Sequence, residues 1–376
     1  MIVHRKLQDI IESKLYKGKA IVLIGARQVG KSTLYRQIVE KRQEKVLSLN
    51  CDLAEVRDML SSINGAELKM LIGDYQMVVI DEAQRVPGIG LTMKLIIDNY
   101  PKVQLLVTGS SAFELQDKLN EPLTGRKFEY HLYPLSTAEL YGEGGLLYVK
   151  QLLDARLIYG SYPDVIKNGS DAKEILMNIA GSYLYKDILA MDNIRRPVLL
   201  EKLLQALALQ VGSEVSYNEL AQTVGTDNKT VERYIDLLEK CYVVFRLTAF
   251  SRNLRNELKK RKKVYFYDNG IRNAVIRNFA PLALRQDAGA LWENFFVSER
   301  IKSNQYQGKY VQSYFWRTTQ QQEIDYIEDE DGQLSAFEMK WNPNKGKTSL
   351  PASFLNAYPI RQSVVVTPDN YLNLIL

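Results

Sequence analysis

The feature that most constrains this chain is a glycine-rich stretch that follows a short apolar run near the amino terminus. Residues 25–32 read Gly-Ala-Arg-Gln-Val-Gly-Lys-Ser and fit the G-x-x-x-x-G-K-[ST] pattern of a phosphate-binding loop. The apolar run 20–24 has the length of a strand, and residues 32–41 have the apolar spacing of a helix. This order brings backbone N–H groups and a helix amino terminus around a phosphate. The sequence therefore predicts a phosphate site of a nucleotide here.

The side chains of this loop have separate expected roles. We expect Lys31 to reach the β- and γ-phosphates and Ser32 to place its hydroxyl on Mg²⁺. The full set that we expect to contact the nucleotide is Gly25, Arg27, Gln28, Val29, Gly30, Lys31, Ser32 and Thr33.

A second apolar run ends in two carboxylates. Residues 77–80 lead directly into Asp81 and Glu82. A buried parallel strand carries such residues to the carboxyl edge of its sheet, where ligands of α/β proteins bind. We expect Asp81 to hold Mg²⁺ and Glu82 to polarise the attacking water.

Two further polar positions are candidates for sensing the γ-phosphate. Residues 103–108 form another expected strand, and either Ser110 or Thr108 at its end takes this role or simply caps a helix. Arg126 is a candidate phosphate-sensing arginine, acting on its own chain or on a neighbour, with a solvated loop arginine as the alternative.

Composition limits the class of protein. The chain has 376 residues, which allows two or three domains, and a net charge of +5, which permits nucleic-acid contact without showing it. No apolar run approaches the roughly 20 residues of a membrane span, so no membrane partner is expected. Cys51 and Cys241 are single and far apart, which suits a reduced cytoplasm.

The order of elements predicts an α/β protein in four parts. Residues 1–137 form a parallel-sheet P-loop domain, because strands alternate with helices. The other parts are a helical lid over 138–196, a winged helix-turn-helix over 197–250 and an α/β domain over 251–376.

The winged helix-turn-helix is predicted from three helices, a glycine turn and a strand. Ser216 with Glu219 is a capping box for the middle helix. Lys229 and Arg233 lie on the expected outer side of the third helix, which either contacts DNA or belongs to a packing module. A cationic run that includes Lys259, Lys260 and Arg261 is either a solvated hairpin tip or a phosphate-backbone contact.

The carboxyl-terminal part contains a hairpin signal at Asp331-Gly332. A two-residue turn there makes paired residue numbers sum to 663, so Asp325 faces Glu338 and Glu323 faces Lys340. Opposed acids repel, and a divalent cation between them relieves the repulsion.

This hairpin therefore predicts a second Mg²⁺ site on Asp325 and Glu338, with Lys340 orienting water. Glu293 or Glu299 from an upstream helix is a further candidate ligand. The alternative is a surface hairpin with a Glu323–Lys340 ion pair.

Taken together, these motifs resemble a prokaryotic family of AAA-like P-loop ATPases that ends in the domain of unknown function 4143. The resemblance covers nearly the whole chain. The residues that carry it are the loop 25–32, residues 79–84, 108–111, Gly125-Arg126, 134–136, 267–270 and Glu293-Asn294. It implies ATP as the nucleotide, and it implies a restriction-endonuclease-like tail whose D…E-x-K pattern is Asp325, Glu338 and Lys340.

Two hypotheses follow. The first is an ATPase coupled to DNA, with nuclease action by the tail as a further expectation. The second is a nucleotide-gated switch that binds a protein partner or another copy of itself, with an inactive tail.

Overall fold

The computed structural model describes residues 3–110, 123–184, 197–251, 262–318, 320–342 and 349–376. These residues fall into two compact units. The amino-terminal unit is Ile2–Tyr133 with Lys240–Tyr242, and the carboxyl-terminal unit is Pro134–Glu239 with Val243–Leu376. Within the described ranges, no helix is long and apolar enough to cross a membrane.

The amino-terminal unit is a parallel sheet with connecting helices. Its strands are β1 (Ala20–Ile24), β2 (Val46–Asn50), β3 (Met77–Asp81), β4 (Gln104–Gly109) and β5 (Lys127–His131). Its helices are α1 (Lys6–Glu12), α2 (Lys31–Glu40), α3 (Ala54–Ser62), α4 (Gly65–Ile72) and α5 (Ile89–Asn99). The strand order is β2-β3-β4-β1-β5, and every neighbouring pair is parallel.

The apolar runs explain why the centre of this sheet is buried. All residues of β1 and β4 are buried, and each fully buried Val, Leu or Ile stabilises the fold by about 1.5–3 kcal/mol. In the register, Ile24 pairs with both Gly109 and His131. The carboxyl ends of β1, β4 and β5 therefore meet at one edge, where the predicted loop begins.

The carboxyl-terminal unit starts with helices. They are α6 (Thr137–Tyr159), α7 (Pro163–Lys167), α8 (Ala172–Asn178), α9 (Pro197–Leu209), α10 (Tyr217–Val224) and α11 (Asn228–Lys240). A capping box of Ser136 and Glu139 starts α6, which kinks at Gly145 where φ is 71°. Residues 185–196 of the predicted lid lie outside the described residues.

One seven-stranded sheet runs through the rest of this unit. Its strands are β6 (Glu214–Val215), β7 (Val244–Ala249), β8 (Lys262–Phe266), β9 (Gln312–Arg317), β10 (Glu323–Glu330), β11 (Gln333–Met339) and β12 (Ile360–Val366). The order is β12-β11-β10-β9-β7-β8-β6. The remaining helices are α12 (Asn269–Val275), α13 (Ala288–Tyr306), α14 (Ala352–Ala357) and α15 (Leu372–Ile375).

The predicted domain boundary at residue 250 does not separate two domains, because this sheet continues across it. The strand β7 was expected to close one domain, yet it pairs in parallel with β9, with Thr248 opposite Tyr314. It also pairs antiparallel with β8. The segments 197–250 and 251–376 therefore share a sheet, because β7 hydrogen-bonds on both edges.

The helices predicted over 197–250 are present, and the hairpin register is confirmed for the pairs between residues 326 and 337. Ser216 accepts a hydrogen bond from the Glu219 backbone N–H, which is half of the predicted capping box. In the hairpin, Tyr326 pairs with Phe337 and Glu330 with Gln333, so the paired numbers sum to 663. The turn residue Asp331 has a positive φ of 53°, as a tight two-residue turn requires.

Candidate nucleotide-binding site

The loop after β1 has the backbone geometry that its glycines predict. A Cβ at Gly25 would lie 2.2 Å from the Leu132 carbonyl oxygen, so only glycine fits there. Gly30 has φ 97° and precedes α2, which begins at Lys31. The loop thus ends at a helix amino terminus, where backbone N–H groups bind anions.

Lys31 lies inside this loop. Its Nζ donates to the carbonyl oxygens of Gly25 and Ala26, at 2.9 Å each, and the side chain is buried. Three other members of the predicted set, Gln28, Ser32 and Thr33, are exposed, as ligand-contacting residues of a surface site would be. Arg27 is half-buried and Val29 is buried.

Arg5 supports the loop through two hydrogen bonds. The sequence did not predict this role. Its buried guanidinium donates to the carbonyl oxygens of Val29 at 2.8 Å and Tyr133 at 2.6 Å. No short motif could have revealed this contact, because Arg5 lies 24 positions before Val29 and 128 before Tyr133.

Asp81 lies directly beside the loop. The Ser32 hydroxyl donates to both of its carboxylate oxygens, at 3.1 and 2.8 Å. The Thr108 hydroxyl also donates to Asp81 and accepts a bond of 3.0 Å from the Glu82 backbone N–H. Of the two sensor candidates, Thr108 therefore contacts the Asp81 carboxylate, and Ser110 does not.

Glu82 is held by a side chain that had no predicted role. Its backbone is left-handed, with φ 54°. The Gln84 amide nitrogen donates to the Glu82 carboxylate at 2.5 Å and to the Ser110 hydroxyl at 2.8 Å. Ser110 thus acts on Glu82 through Gln84, and the chain of contacts joins the ends of β3 and β4.

The residues present fit Mg²⁺. Ser32 and Asp81 supply a hydroxyl and a carboxylate within hydrogen-bond distance of each other, and oxygen atoms of these kinds are the ligands that Mg²⁺ prefers. These two residues would hold the ion beside the loop.

Arg126 lies at the wrong edge for its own nucleotide. It immediately precedes β5, and its carbonyl oxygen accepts from the Ala20 N–H at the start of β1. The loop begins at the other end of β1, five residues or about 16 Å away. The guanidinium instead pairs with Asp98 at 2.8 Å. This geometry argues against the prediction that Arg126 senses phosphate in its own chain. The prediction that it acts on a neighbouring chain stays a prediction.

The tail acids surround a lysine that the sequence interpretation did not connect with them. The Lys263 ammonium lies 3.1 Å from Glu293, 2.5 Å from Glu323 and 4.0 Å from Asp325. Lys340 pairs with Glu338 at 2.7 Å, and Asp325 accepts a bond of 2.8 Å from the Met339 backbone N–H.

The predicted metal centre on Asp325, Glu338 and Glu293 is therefore not assembled. Among the described residues, no group of three or more acids, histidines or cysteines is arranged to hold a metal. Burial, and then the Glu293 carboxylate, raise the pKa of Asp325 well above its usual range. Glu299, the other candidate ligand, is instead buried against Arg156 and Lys302.

The other tail motifs form a buried polar network. Asp268 accepts from the backbone N–H groups of Ser161 at 2.6 Å and Ile271 at 3.2 Å. Asn294 bonds both the N–H and the carbonyl of Phe266 and donates to Asn269 at 2.6 Å. Asn269 also donates to the carbonyl oxygens of Leu157 and Leu291, so this network joins α6, α12 and α13 and has a structural role.

The outer face of α11 carries the predicted cations. Lys229 and Arg233 are exposed. The acids of the same helix have cationic partners on neighbouring strands: Arg246 bonds Asp236 and Glu239, and Lys262 lies 3.5 Å from Glu232. The predicted contacts Lys259, Lys260 and Arg261 lie outside the described residues.

A parallel sheet with a glycine loop at the end of its first strand, and with Ser32 on Asp81, defines the class of P-loop ATPases. Comparison with known families agrees, and the chain carries an AAA-like P-loop ATPase domain. Residues 17–141 match a family model described as an AAA domain. Residues 150–282 match the domain of unknown function DUF8612, and residues 288–372 match DUF4143. The expected AAA-like P-loop domain and the domain of unknown function 4143 are thus both found, whereas the endonuclease-like nature of the tail stays a prediction.

Similar proteins occur in distant organisms. An uncharacterised protein of Mycobacterium tuberculosis is 25% identical over 360 residues, covering 94% of this chain and 76% of that protein. One from Haemophilus influenzae is 28% identical over 275 residues, or 68% of each chain. A solved Walker-type ATPase of Pyrococcus abyssi has a TM-score of 0.50 at 18% identity, covering 73% of this chain and 96% of that one. This likeness shows the shared fold.

Proposed function

We propose that this chain binds ATP with Mg²⁺ at the loop 25–32 and hydrolyses it. The observation that carries the proposal is the contact of the Ser32 hydroxyl with the Asp81 carboxylate. It joins the two motifs at the carboxyl edge of the sheet, with Lys31 and Glu82 beside them.

Each residue of the site has a separate role in hydrolysis. Lys31 exchanges its bonds to the Gly25 and Ala26 carbonyls for oxygens of the β- and γ-phosphates. Ser32 and Asp81 would hold Mg²⁺, which would neutralise charge on the phosphate oxygens.

Glu82 orients a water molecule and accepts its proton as the water oxygen bonds to the γ-phosphorus. The bond from that phosphorus to the bridging oxygen breaks, and ADP leaves. Thr108 fixes Glu82 through its backbone N–H and fixes Asp81 through its carboxylate.

Binding of ATP tests the first part of this proposal. Lys31→Ala removes charge-assisted hydrogen bonds to phosphate, each worth about 1.5–3 kcal/mol, so affinity should fall by at least about 100-fold. The matched control is Lys41→Ala, since Lys41 is exposed and lies 3.9 Å from Glu12.

Calorimetry with a non-hydrolysable ATP analogue and Mg²⁺ measures this change, and the circular dichroism of both variants should match the wild type. Equal affinity in Lys31→Ala and wild type would show that the loop is not the nucleotide site.

The DNA part of the proposal is carried by α11. We infer a winged helix-turn-helix from the order α9, β6, α10, α11, β7 and β8, in which α11 is the helix that enters the major groove. Because the acids of α11 are paired with cations from neighbouring strands, its exposed side presents Lys229 and Arg233 to phosphates.

Salt dependence of binding to a short DNA duplex tests this inference. Each phosphate contact removed should reduce the slope of log affinity against log salt by about one unit. Lys229→Ala and Arg233→Ala should each lower the slope, whereas Lys202→Ala, an exposed lysine of α9, should not.

The alternative is a nucleotide-gated switch that binds a protein or another copy of the chain. Absence of DNA binding at low salt, or an equal effect of all three substitutions, would favour it. Chemical crosslinking with and without ATP would then detect self-association.

A further inference from the structure

Lys263 is a buried cation in the middle of an acidic cluster. Its side chain is 2% exposed, and it lies on β8 within 4.0 Å of three carboxylates. Glu293 comes from α13, whereas Glu323 and Asp325 come from β10. A lysine is almost never buried so completely unless it is paired, and here the pairing is with several acids at once.

This ammonium sits where a hard divalent cation would need to bind. Mg²⁺ requires oxygens at about 2.0–2.1 Å in near-octahedral order. The oxygens of Glu293 and Glu323 are instead directed at Lys263, at 3.1 and 2.5 Å. The acids therefore have the composition of a metal site without its arrangement.

Two further cations neutralise part of the cluster. Lys340 pairs with one oxygen of Glu338 at 2.7 Å, and Arg317 lies 3.7 Å from Glu323 and 3.6 Å from Glu214. A divalent ion added beside Lys263 would therefore meet three positive groups. The cluster is partly buried, so water screens this repulsion less than it would at an exposed surface.

We propose that the Lys263 ammonium replaces a divalent metal among the tail carboxylates, so that the tail is stabilised without metal and does not cleave nucleic acid. Removal of this one charge converts the same acids into a divalent-cation site. The inference concerns the tail alone and holds whether or not the loop 25–32 hydrolyses ATP.

One carboxylate oxygen indicates where a divalent ion would bind once the Lys263 charge is removed. The second carboxylate oxygen of Glu338 is buried and has no hydrogen-bond partner among the described residues. Asp325 comes directly before Tyr326 and Glu338 directly after Phe337, and these two residues form the first pair of the hairpin. Loss of Lys263 would free oxygens of Glu323 and Glu293 on the same side, which gives four carboxylates for one ion.

Manganese binding by the full-length chain, measured from the electron paramagnetic resonance signal of free Mn²⁺ without nucleotide, tests the proposal. Ser32→Ala is present in every sample to remove the metal ligand of the loop. In this background the chain should bind no Mn²⁺ that depends on Asp325, so adding Asp325→Asn should change nothing. Lys263→Met should bind one additional Mn²⁺ per chain, and Lys263→Met with Asp325→Asn should lose it.

A second variant keeps the test informative if Lys263→Met does not fold. Lys263→Gln keeps a hydrogen-bond donor and removes only the charge, so it should also gain the Mn²⁺ site. Circular dichroism identifies which variant is folded. The proposal is overturned if the chain with Lys263 intact binds Mn²⁺ at a site that Asp325→Asn removes. It is equally overturned if a folded Lys263 variant gains no Mn²⁺.

Discussion

The Gln84 side chain joins the expected catalytic carboxylate to the end of the neighbouring strand. One amide nitrogen donates both to Glu82 and to Ser110, and the residue is buried. These two bonds hold the carboxylate that we expect to orient the attacking water. We therefore expect Gln84 to affect the position of Glu82 more than the binding of nucleotide.

Gln84→Met should separate these two effects. Methionine keeps the length of the side chain and removes both hydrogen bonds, which leaves the Glu82 carboxylate less fixed. A small displacement of a catalytic group can cost up to about 100-fold in rate. We expect kcat of ATP hydrolysis to fall by about 10- to 100-fold, with an ATP dissociation constant close to that of the wild type.

Steady-state phosphate release together with calorimetry measures both quantities. Gln84→Asn, which retains the amide, should recover part of the rate. An unchanged or higher kcat in Gln84→Met would mean that Gln84 does not position Glu82 for the reaction.

Among the elements, α6 and α13 are joined by a buried carboxylate. Glu299 of α13 accepts from the Thr137 backbone N–H at 2.6 Å, from Arg156 at 3.1 Å and from Lys302 at 2.8 Å. Burial by itself would raise the pKa of Glu299, but the charges of Lys302 and Arg156 outweigh it and lower the pKa to about 2.

We expect this lowered pKa to make the carboxyl-terminal unit less stable at acid pH. The folded pKa lies below the unfolded value of 4.5, so the stabilisation is complete above about pH 5 and is lost as the pH falls towards 2. The shift corresponds to a contribution on the order of 3 kcal/mol.

Glu299→Gln should remove this contribution. The variant should be less stable than the wild type at pH 7, and the difference should shrink between pH 5 and pH 2. Urea unfolding at several pH values measures it, with the exposed Glu201→Gln as control. A stability difference that stays constant down to pH 2 would contradict the role of the Glu299 charge.

Across the whole molecule, local motifs were predictable and distant contacts were not. The loop, the Asp81-Glu82 strand end and the 663 register each depend on neighbours in sequence, and the structure contains them. The position of Arg126 depends instead on the direction of β5, which starts directly after it. Because β5 runs parallel to β1, Arg126 lies at the edge where β1 starts, away from the loop at the end of β1.

The tail shows the same division. The predicted turn gave the correct pairing of residues 326–330 with residues 333–337, which come directly after Asp325 and before Glu338. Lys263, the cation among these acids, lies on β8, and it precedes Glu293 by 30 positions in the sequence. Because no short motif links Lys263 with the acids, the sequence predicted a metal site at the place that this lysine occupies. The continuous sheet through β7 and β9 was missed for the same reason.

Hydrolysis by Glu82 is the central claim, and single-turnover phosphate release tests it most directly. Glu82→Gln keeps the shape of the side chain but cannot accept the proton, and removal of a general base costs about 10²- to 10⁴-fold. We predict that this variant binds ATP as tightly as wild type and releases phosphate at least about 100-fold more slowly. The exposed Glu40→Gln on α2 should release it at the wild-type rate. Phosphate release by Glu82→Gln at the wild-type rate, or wild-type release no faster than that of Lys31→Ala, would contradict the account.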